Sequence, residues 1–477
     1  MGFALSVLYL FLYYLTPATL LGPLAALHVE LILAVVVVLV SLPSLPRAFI
    51  HKTAQAYALI GMVLAVFLSI LIGVRWPGGA FHAVLDFIPN IFAYFLICLH
   101  CDSKRKLQVL VVMLMFVCVF VIAHGYADLL RVEAENLNPQ TGAQMHGGGP
   151  QALNEQERNE LWDMEHPYLL AMYGGTEQQI FRLRGLGEVN DPNDFGQVLV
   201  CLIPLVFIFW RPKRGLFNAA CVLLPVALLL FGVYLTHSRG ALLALLATAI
   251  VAARRRIGTL ASLLLAGVMF AAAQALHFTG GRDISANTGS DRSGFWGVGL
   301  ELLKSHPLFG VGYGKFKEAC DCGHTAHNSI VVCAAELGLF GLFFWALFLF
   351  STGRDAMVLA SPLKVGEGDP IPVEEGLYGA PVAAMAVVDR AEILRLGRLL
   401  VLSLTGFLVA GLFLSRSYVL TLFLLGGMTE AVFEMAARRQ MVAPRMRLGR
   451  VLGSSVGLSA ALIVFMYAFV RVLNVMR

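Results

Sequence analysis

The chain has 477 residues, 58% of them apolar and 14% charged, with a formal net charge of +5 and a mean hydropathy of +0.77. Runs such as 31–42, 62–73, 107–123 and 260–275 are apolar without lasting strand alternation. Roughly 20 apolar residues cross the hydrocarbon of a bilayer, so runs of this kind repeated along the chain exclude a soluble protein.

The pattern specifies an all-α, polytopic transmembrane bundle of about 12–13 helices with a large extracytoplasmic loop region. Membrane lipids are therefore partners. The small positive charge is what basic cytoplasmic loops produce, and it gives no case for nucleic acid.

The N-terminal unit, 1–124, holds apolar helices over 3–20, 28–42, 54–73, 81–99 and 107–123. Residues 1–15 lack a basic leader and no small-residue cleavage site follows, so the first helix is expected to stay. Arg47 and Lys52, then Lys104-Arg105-Lys106, mark the loops after the second and fourth helices as cytoplasmic.

Segment 125–180 is polar, with an acidic excess that includes Glu155, Glu157, Glu160, Asp163 and Glu165. Alternation puts it outside, and its lack of periodicity suggests a partly ordered cap or lid rather than a folded domain. Unit 181–277 carries helices six to nine, near 195–210, 216–236, 241–253 and 260–275, with Arg254-Arg255-Arg256 turned inward. The large outer loop 278–327 comes next, and helix ten (328–350) crosses back. Segment 351–396 is a Pro- and Gly-rich cytoplasmic insertion. The C-terminal unit 397–477 holds a tight hairpin around Ser415-Arg416-Ser417, a basic stretch over 438–450 and a last apolar run over 451–469.

Eight cysteines do not make a framework. Cys98, Cys118, Cys201, Cys221 and Cys333 fall in apolar runs, where a thiol acts as a small hydrophobe. Cys320 and Cys322 stand beside His324, but CDCGH matches no common zinc spacing and lacks a second ligand pair. A loop disulfide or two free thiols is the reading preferred over a metal site. No metal and no cofactor are expected.

Three polar clusters face outward. In the first, Arg182 and Arg184 precede Asp191-Pro192-Asn193-Asp194, where the acidic and amide side chains can cap helix six and Pro192 suits its first turn. The second is Thr236-His237-Ser238-Arg239-Gly240. Arg239 ends a long apolar run, where a charge is costly unless it pairs, faces a wet cavity or snorkels to headgroups. The third spans 289–342 and carries Arg292, Lys304, His306, Lys315, Lys317, His324 and His327, with Asn328 able to cap helix ten. Gly310-x-Gly312-x-Gly314 has the form of a phosphate-cradling loop, although no strand precedes it. No Walker lysine, HExxH or nucleophile elbow is present, which leaves ATP-driven or zinc-dependent chemistry without support.

Taken in order, these motifs resemble the O-antigen ligase family. This is the group of membrane glycosyltransferases that also holds O-antigen polymerases and protein O-oligosaccharyltransferases. The resemblance runs through Arg182-x-x-Gly185, Asp191-Pro192-Asn193, Thr236-x-Ser238-Arg239-Gly240, Arg292-x-x-x-Trp296, His306–Gly314 and His327-Asn328, on to Glu336-Leu337-Gly338. It implies transfer of a glycan from an undecaprenyl-pyrophosphate carrier to an acceptor hydroxyl at the periplasmic face of the bacterial inner membrane. It also implies that Arg239 and Arg292 contact the pyrophosphate and that His327 is the essential histidine.

Arg182 and Arg184 compete for one motif position. Together with Asn193, Lys315, Lys317 and His324, they complete the candidate substrate contacts. The acceptor expected is a lipid A-core sugar, the alternatives being a growing polysaccharide or a protein hydroxyl. A transporter of lipid-linked sugars is the rival of another class. It should show charges along mid-helix positions and internal repeats. Glu30 and Asp86 are the exceptions to largely uncharged helix interiors, and no repeat is visible.

Overall fold

The computed structural model describes residues 1–16, 29–44, 53–135, 162–173, 179–276, 278, 286–321, 323–361, 390–439, 441–442 and 445–475. Ten helices among the described residues are long and apolar enough to cross a membrane, and two shorter apolar helices accompany them. The chain is a multi-pass helical membrane protein.

The short helices are α1 (Gly2–Leu15) and α2 (Val29–Ser41). The first three long spans are α3 (Ala54–Val74), α4 (Pro77–His100) and α5 (Lys104–Ala134). A two-stranded antiparallel hairpin, β1 (Leu169–Tyr173) and β2 (Gln179–Leu183), follows. Next come α6 (Pro192–Phe209), α7 (Gly215–Leu235) and α8 (Arg239–Ala275). The outer loop contains α9 (Ala286–Ser305). The remaining spans are α10 (Ser329–Ala360), α11 (Arg390–Gly411), α12 (Leu420–Ala437) and α13 (Leu448–Val475).

Most of α6, α10 and α12 is buried, whereas most of α8 and α13 faces outward. Helix α10 is the hub, packing on α3, α11, α12, α13 and α9. The polar segments need water or protein partners, so a buried hub whose N-terminus emerges beside them is where a site can be built.

Helix α8 contains 37 residues, which as a straight rod would extend about 55 Å, nearly twice a hydrocarbon core of about 30 Å. It does not run straight. Gly258 has non-helical angles, φ 81° and ψ 170°. Just before the start of α8, His237 Nδ1 lies 2.9 Å from the carbonyl of Phe278, just beyond its end. The two ends therefore meet, and α8 is a hairpin bent at Gly258 that supplies two crossings. The expected helices over 241–253 and 260–275 are its two arms.

One end of the bundle is basic. Arg255 Nη1 reaches the Ala360 carbonyl at 3.5 Å, and Arg395 donates to the carbonyls of Trp210 at 2.8 Å and Ile208 at 3.2 Å. Lys104 pairs with Glu392, and Arg445 with Glu430. The opposite end gathers Gly187 against Thr16, Gly125 against Leu183, and the Gly312 backbone against Val74. All three polar clusters lie at this second end.

Three features differ from the expectation. Helix α5 continues to Ala134, where a polar loop from 125 onward was expected. Its extension carries Leu129 and Val132, which pack with Trp162, Leu169 and Phe181. The cap also contains a β-hairpin. Helix α10 runs on to Ala360 and α11 begins at Arg390, so both flanks of the insertion expected over 351–396 are helical. Most of segment 125–180 and residues 362–389 lie outside the described residues.

Candidate functional site

Asp191 caps α6 by accepting from the Asn193 amide at 2.7 Å, with Pro192 at the first helical position. This turn aims the Asn193 side chain away from the helix. Its Oδ1 accepts from Arg182 Nη2 at 2.9 Å and from Ser238 Oγ at 2.8 Å. Arg182 is buried, and its Nε donates to the Thr236 carbonyl at 2.9 Å. Ser238 also caps α8, accepting from the Ala241 amide at 3.2 Å. The first two sequence clusters are thus one hydrogen-bonded unit, and Arg239, half-buried, is the first residue of α8 beyond it.

Arg184 is placed differently. It is buried, with Nε donating to the Pro167 carbonyl at 3.1 Å and Nη2 to Asp163 at 2.9 Å. It anchors the cap. Nearby, His166 lies 2.8 Å from Asp128 of α5, fixing the same segment from below.

The third cluster meets the first two through the turn 412–419 between α11 and α12. Asn328 caps α10, accepting from the amides of Ile330 at 3.0 Å and Val331 at 3.1 Å, and its Nδ2 donates to the Leu412 carbonyl at 3.1 Å. The His327 amide donates to Ser415 Oγ at 2.7 Å, and Ser415 Oγ donates to Thr325 Oγ1 at 2.6 Å. His327 has φ +49°, a left-handed conformation that lifts it out of the line of α10. The next residue of the turn, Arg416, pairs through Nε with Asp194 Oδ2 at 2.5 Å. Gly240 lies against the same turn, where a Cβ would come 3.2 Å from that of Phe413.

Helix α9 carries Arg292, whose side chain lies outside the described residues. One turn further along, the Trp296 indole donates to the Ala326 carbonyl at 2.7 Å, which sets this stretch of α9 beside His327. The backbone positions of Arg239, Arg292 and His327 therefore share one end of the bundle. Lys315, Lys317 and His324 sit farther out. Lys315 pairs with Glu318 at 2.7 Å, Lys317 is exposed, and exposed His324 lies against the Phe295 ring. Cys320 is disulfide-bonded. Among the described residues no group of three or more His, Cys, Asp or Glu is placed to hold a metal ion.

The glycine-rich loop has a structural task. At Gly338, φ 65° and ψ −166° break α10, which strands carbonyls before the break and amides after it. The loop supplies the partners. Val311 and Gly312 amides donate to the carbonyls of Ala335 at 2.9 Å and Glu336 at 3.0 Å, while Leu339 and Phe340 amides donate to Pro307 at 2.8 Å and Leu308 at 3.1 Å. A Cβ on Gly310 or on Gly338 would fall less than 3.0 Å from the opposing backbone. These glycines permit backbone-to-backbone docking.

No motif in the sequence singles out Ser415-Arg416-Ser417. Its signal in the sequence was an arginine in a tight outward turn. Burial pushes the Tyr418 hydroxyl, two residues on, well above the usual tyrosine range.

The family model described as O-antigen ligase matches residues 224–346. This segment, about a quarter of the chain, is similar to that family. That segment includes Arg239, Arg292, His327 and the loop docked at Gly338. The unit around Asn193 and the turn at Arg416 lie outside the match, yet they bond directly to the matched segment through Ser238 and His327. No curated protein matches the chain.

Proposed function

We propose that this O-antigen ligase-type membrane glycosyltransferase moves a glycan from an undecaprenyl-pyrophosphate carrier to a hydroxyl of a lipid A-core sugar, at the periplasmic face of the bacterial inner membrane. The observation that carries the reading is the junction of the three clusters. Asn193 ties Arg182 to Ser238 beside Arg239, and Ser415 holds His327 one residue from Arg416, which is paired with Asp194. The basic end holding Lys104, Arg255 and Arg395 suits the cytoplasm by the positive-inside rule, which supports a periplasmic position for the site.

In the reaction, the acceptor hydroxyl oxygen attacks the anomeric carbon as the bond to the phosphate oxygen breaks. The hydroxyl proton passes to the His327 imidazole, histidine being the side chain best suited to general-base work near neutral pH. The bonding electron pair leaves with undecaprenyl pyrophosphate, and single displacement inverts the anomeric carbon. Arg239 and Arg292 hold the pyrophosphate. Guanidinium pairs bidentately with phosphate oxygens and stays charged. Those contacts tighten as negative charge grows on the leaving group, so they favour the transition state over the ground state.

The test is reconstitution of the purified protein with an undecaprenyl-pyrophosphate-linked glycan and candidate acceptors, read by mass spectrometry. A product carrying the glycan on lipid A-core, with free undecaprenyl pyrophosphate, is expected; donor translocation without product would establish a transporter instead. Lipopolysaccharide from a deletion strain distinguishes the acceptors. Loss of all attached chain marks a ligase, and single capped repeats mark a polymerase.

A further inference from the structure

The two arginines that precede α6 are both committed to protein partners deep in the fold. Arg182 is 3% exposed and Arg184 is 4% exposed. At this junction Arg416 carries a guanidinium that reaches the surface, its side chain being 35% exposed. It stands one residue from the serine that holds the His327 amide, and it is steadied through Nε by Asp194, which is itself buried. Its turn is rigid, because Ser417 Oγ donates to the Ser329 carbonyl at 2.6 Å and the Trp345 indole donates to the Ser417 carbonyl at 2.8 Å. A fixed, partly exposed arginine between the histidine and the Arg182–Asn193–Ser238 unit is placed to receive an anionic group.

We propose that Arg416 is a further donor-binding residue, contacting the pyrophosphate of the lipid carrier alongside Arg239 and Arg292. The inference rests on the proposed function. Asp194 then has a second role beyond ion pairing: it orients the guanidinium edge-on and partly screens its charge until the donor's phosphates arrive.

The test measures binding of undecaprenyl pyrophosphate and undecaprenyl monophosphate to the purified protein in detergent, with thermal unfolding as the check on folding. Wild-type protein that binds neither lipid would remove the proposed function, and this inference with it. If the wild type binds the pyrophosphate, Arg416→Gln is expected to weaken that binding about tenfold or more, as loss of a hydrogen bond between charged groups does. The monophosphate should be weakened less. Pyrophosphate binding by Arg416→Gln equal to wild type would overturn the inference and leave the function standing.

Asp194→Asn distinguishes direct contact from mere bracing of the turn. The Asn Oδ1 still accepts from Arg416 Nε and keeps the guanidinium oriented, so contact requires pyrophosphate binding as tight as wild type or tighter, since only the competing charge is gone. A loss matching that of Arg416→Gln would mean that the ion pair only braces the turn. Should Asp194→Asn not fold, Arg416→Lys answers the same question, because it keeps the charge for Asp194 but not the planar fork. An intermediate loss supports contact, and wild-type binding overturns it.

Discussion

Arg182 Nη2 and Ser238 Oγ donate to the same atom, Asn193 Oδ1, at 2.9 and 2.8 Å. One amide oxygen therefore fastens the approach to α6 to the start of α8. Asn193→Ala leaves a buried guanidinium short of an acceptor, a change of about 1.5–3 kcal/mol for a hydrogen bond to a charged group. The Ala variant is expected to unfold at lower temperature and to lose transfer, while Asn193→Asp, which keeps the oxygen, retains both. Thermal unfolding in detergent checks this; an Ala variant as stable as wild type would count against the shared acceptor.

Ser415 accepts from the His327 amide and donates to Thr325. Ser415→Ala removes the only part of that serine that does so. Because a small misplacement of a reacting group costs roughly 100-fold, kcat is expected to fall by about one to two orders of magnitude, with donor KM little changed. Ser415→Thr, which keeps the hydroxyl, should recover most of the rate. Steady-state kinetics of the two variants decide it, and a rise in KM with unchanged kcat would contradict the positioning role.

The glycines separate into two kinds. A Cβ at Gly338 would press into the Leu308 carbonyl, and one at Gly310 into that of Glu336, whereas Gly258 has open space around it. Gly338→Ala and Gly310→Ala are expected to abolish folded protein. Gly258→Ala pays only for its backbone angles, φ 81° and ψ 170°, about 1–3 kcal/mol. Yield of monodisperse protein and its unfolding temperature give the comparison.

Arg184 joins the cap to the bundle through Asp163 and the Pro167 carbonyl. Arg184→Gln is expected to speed limited proteolysis within 125–180 by severalfold. Unchanged cleavage would show that other contacts hold the cap.

The spans were legible because lipid demands long apolar helices, and the sequence declares them by hydropathy alone. That Asn193, Ser238, Arg239 and His327 share one end of the bundle was legible for the same reason, as alternation orders the loops. The capping roles of Asp191 and Asn328 were readable from residue type and position. What escaped depends on contacts between distant segments. Ser415 and Arg416 gain meaning only from His327 and Asp194, and no local pattern encodes those partners. The glycine-rich loop was ambiguous since glycine serves equally for approach to a phosphate or to another backbone; the break at Gly338 resolves its packing. The continuation of α5 to Ala134 was hidden because its apolar face is narrow and covered by the cap.

The most direct measurement of the central proposal is glycan transfer by purified, folded Arg239→Ala, Arg292→Ala and His327→Ala variants, using an undecaprenyl-pyrophosphate-linked glycan and lipid A-core acceptor. The expected result is product from wild type and a loss of about 100-fold or more in each variant, in line with removal of a general base or a charge-stabilising donor. Wild-type rates in the His327→Ala and Arg292→Ala proteins would contradict it.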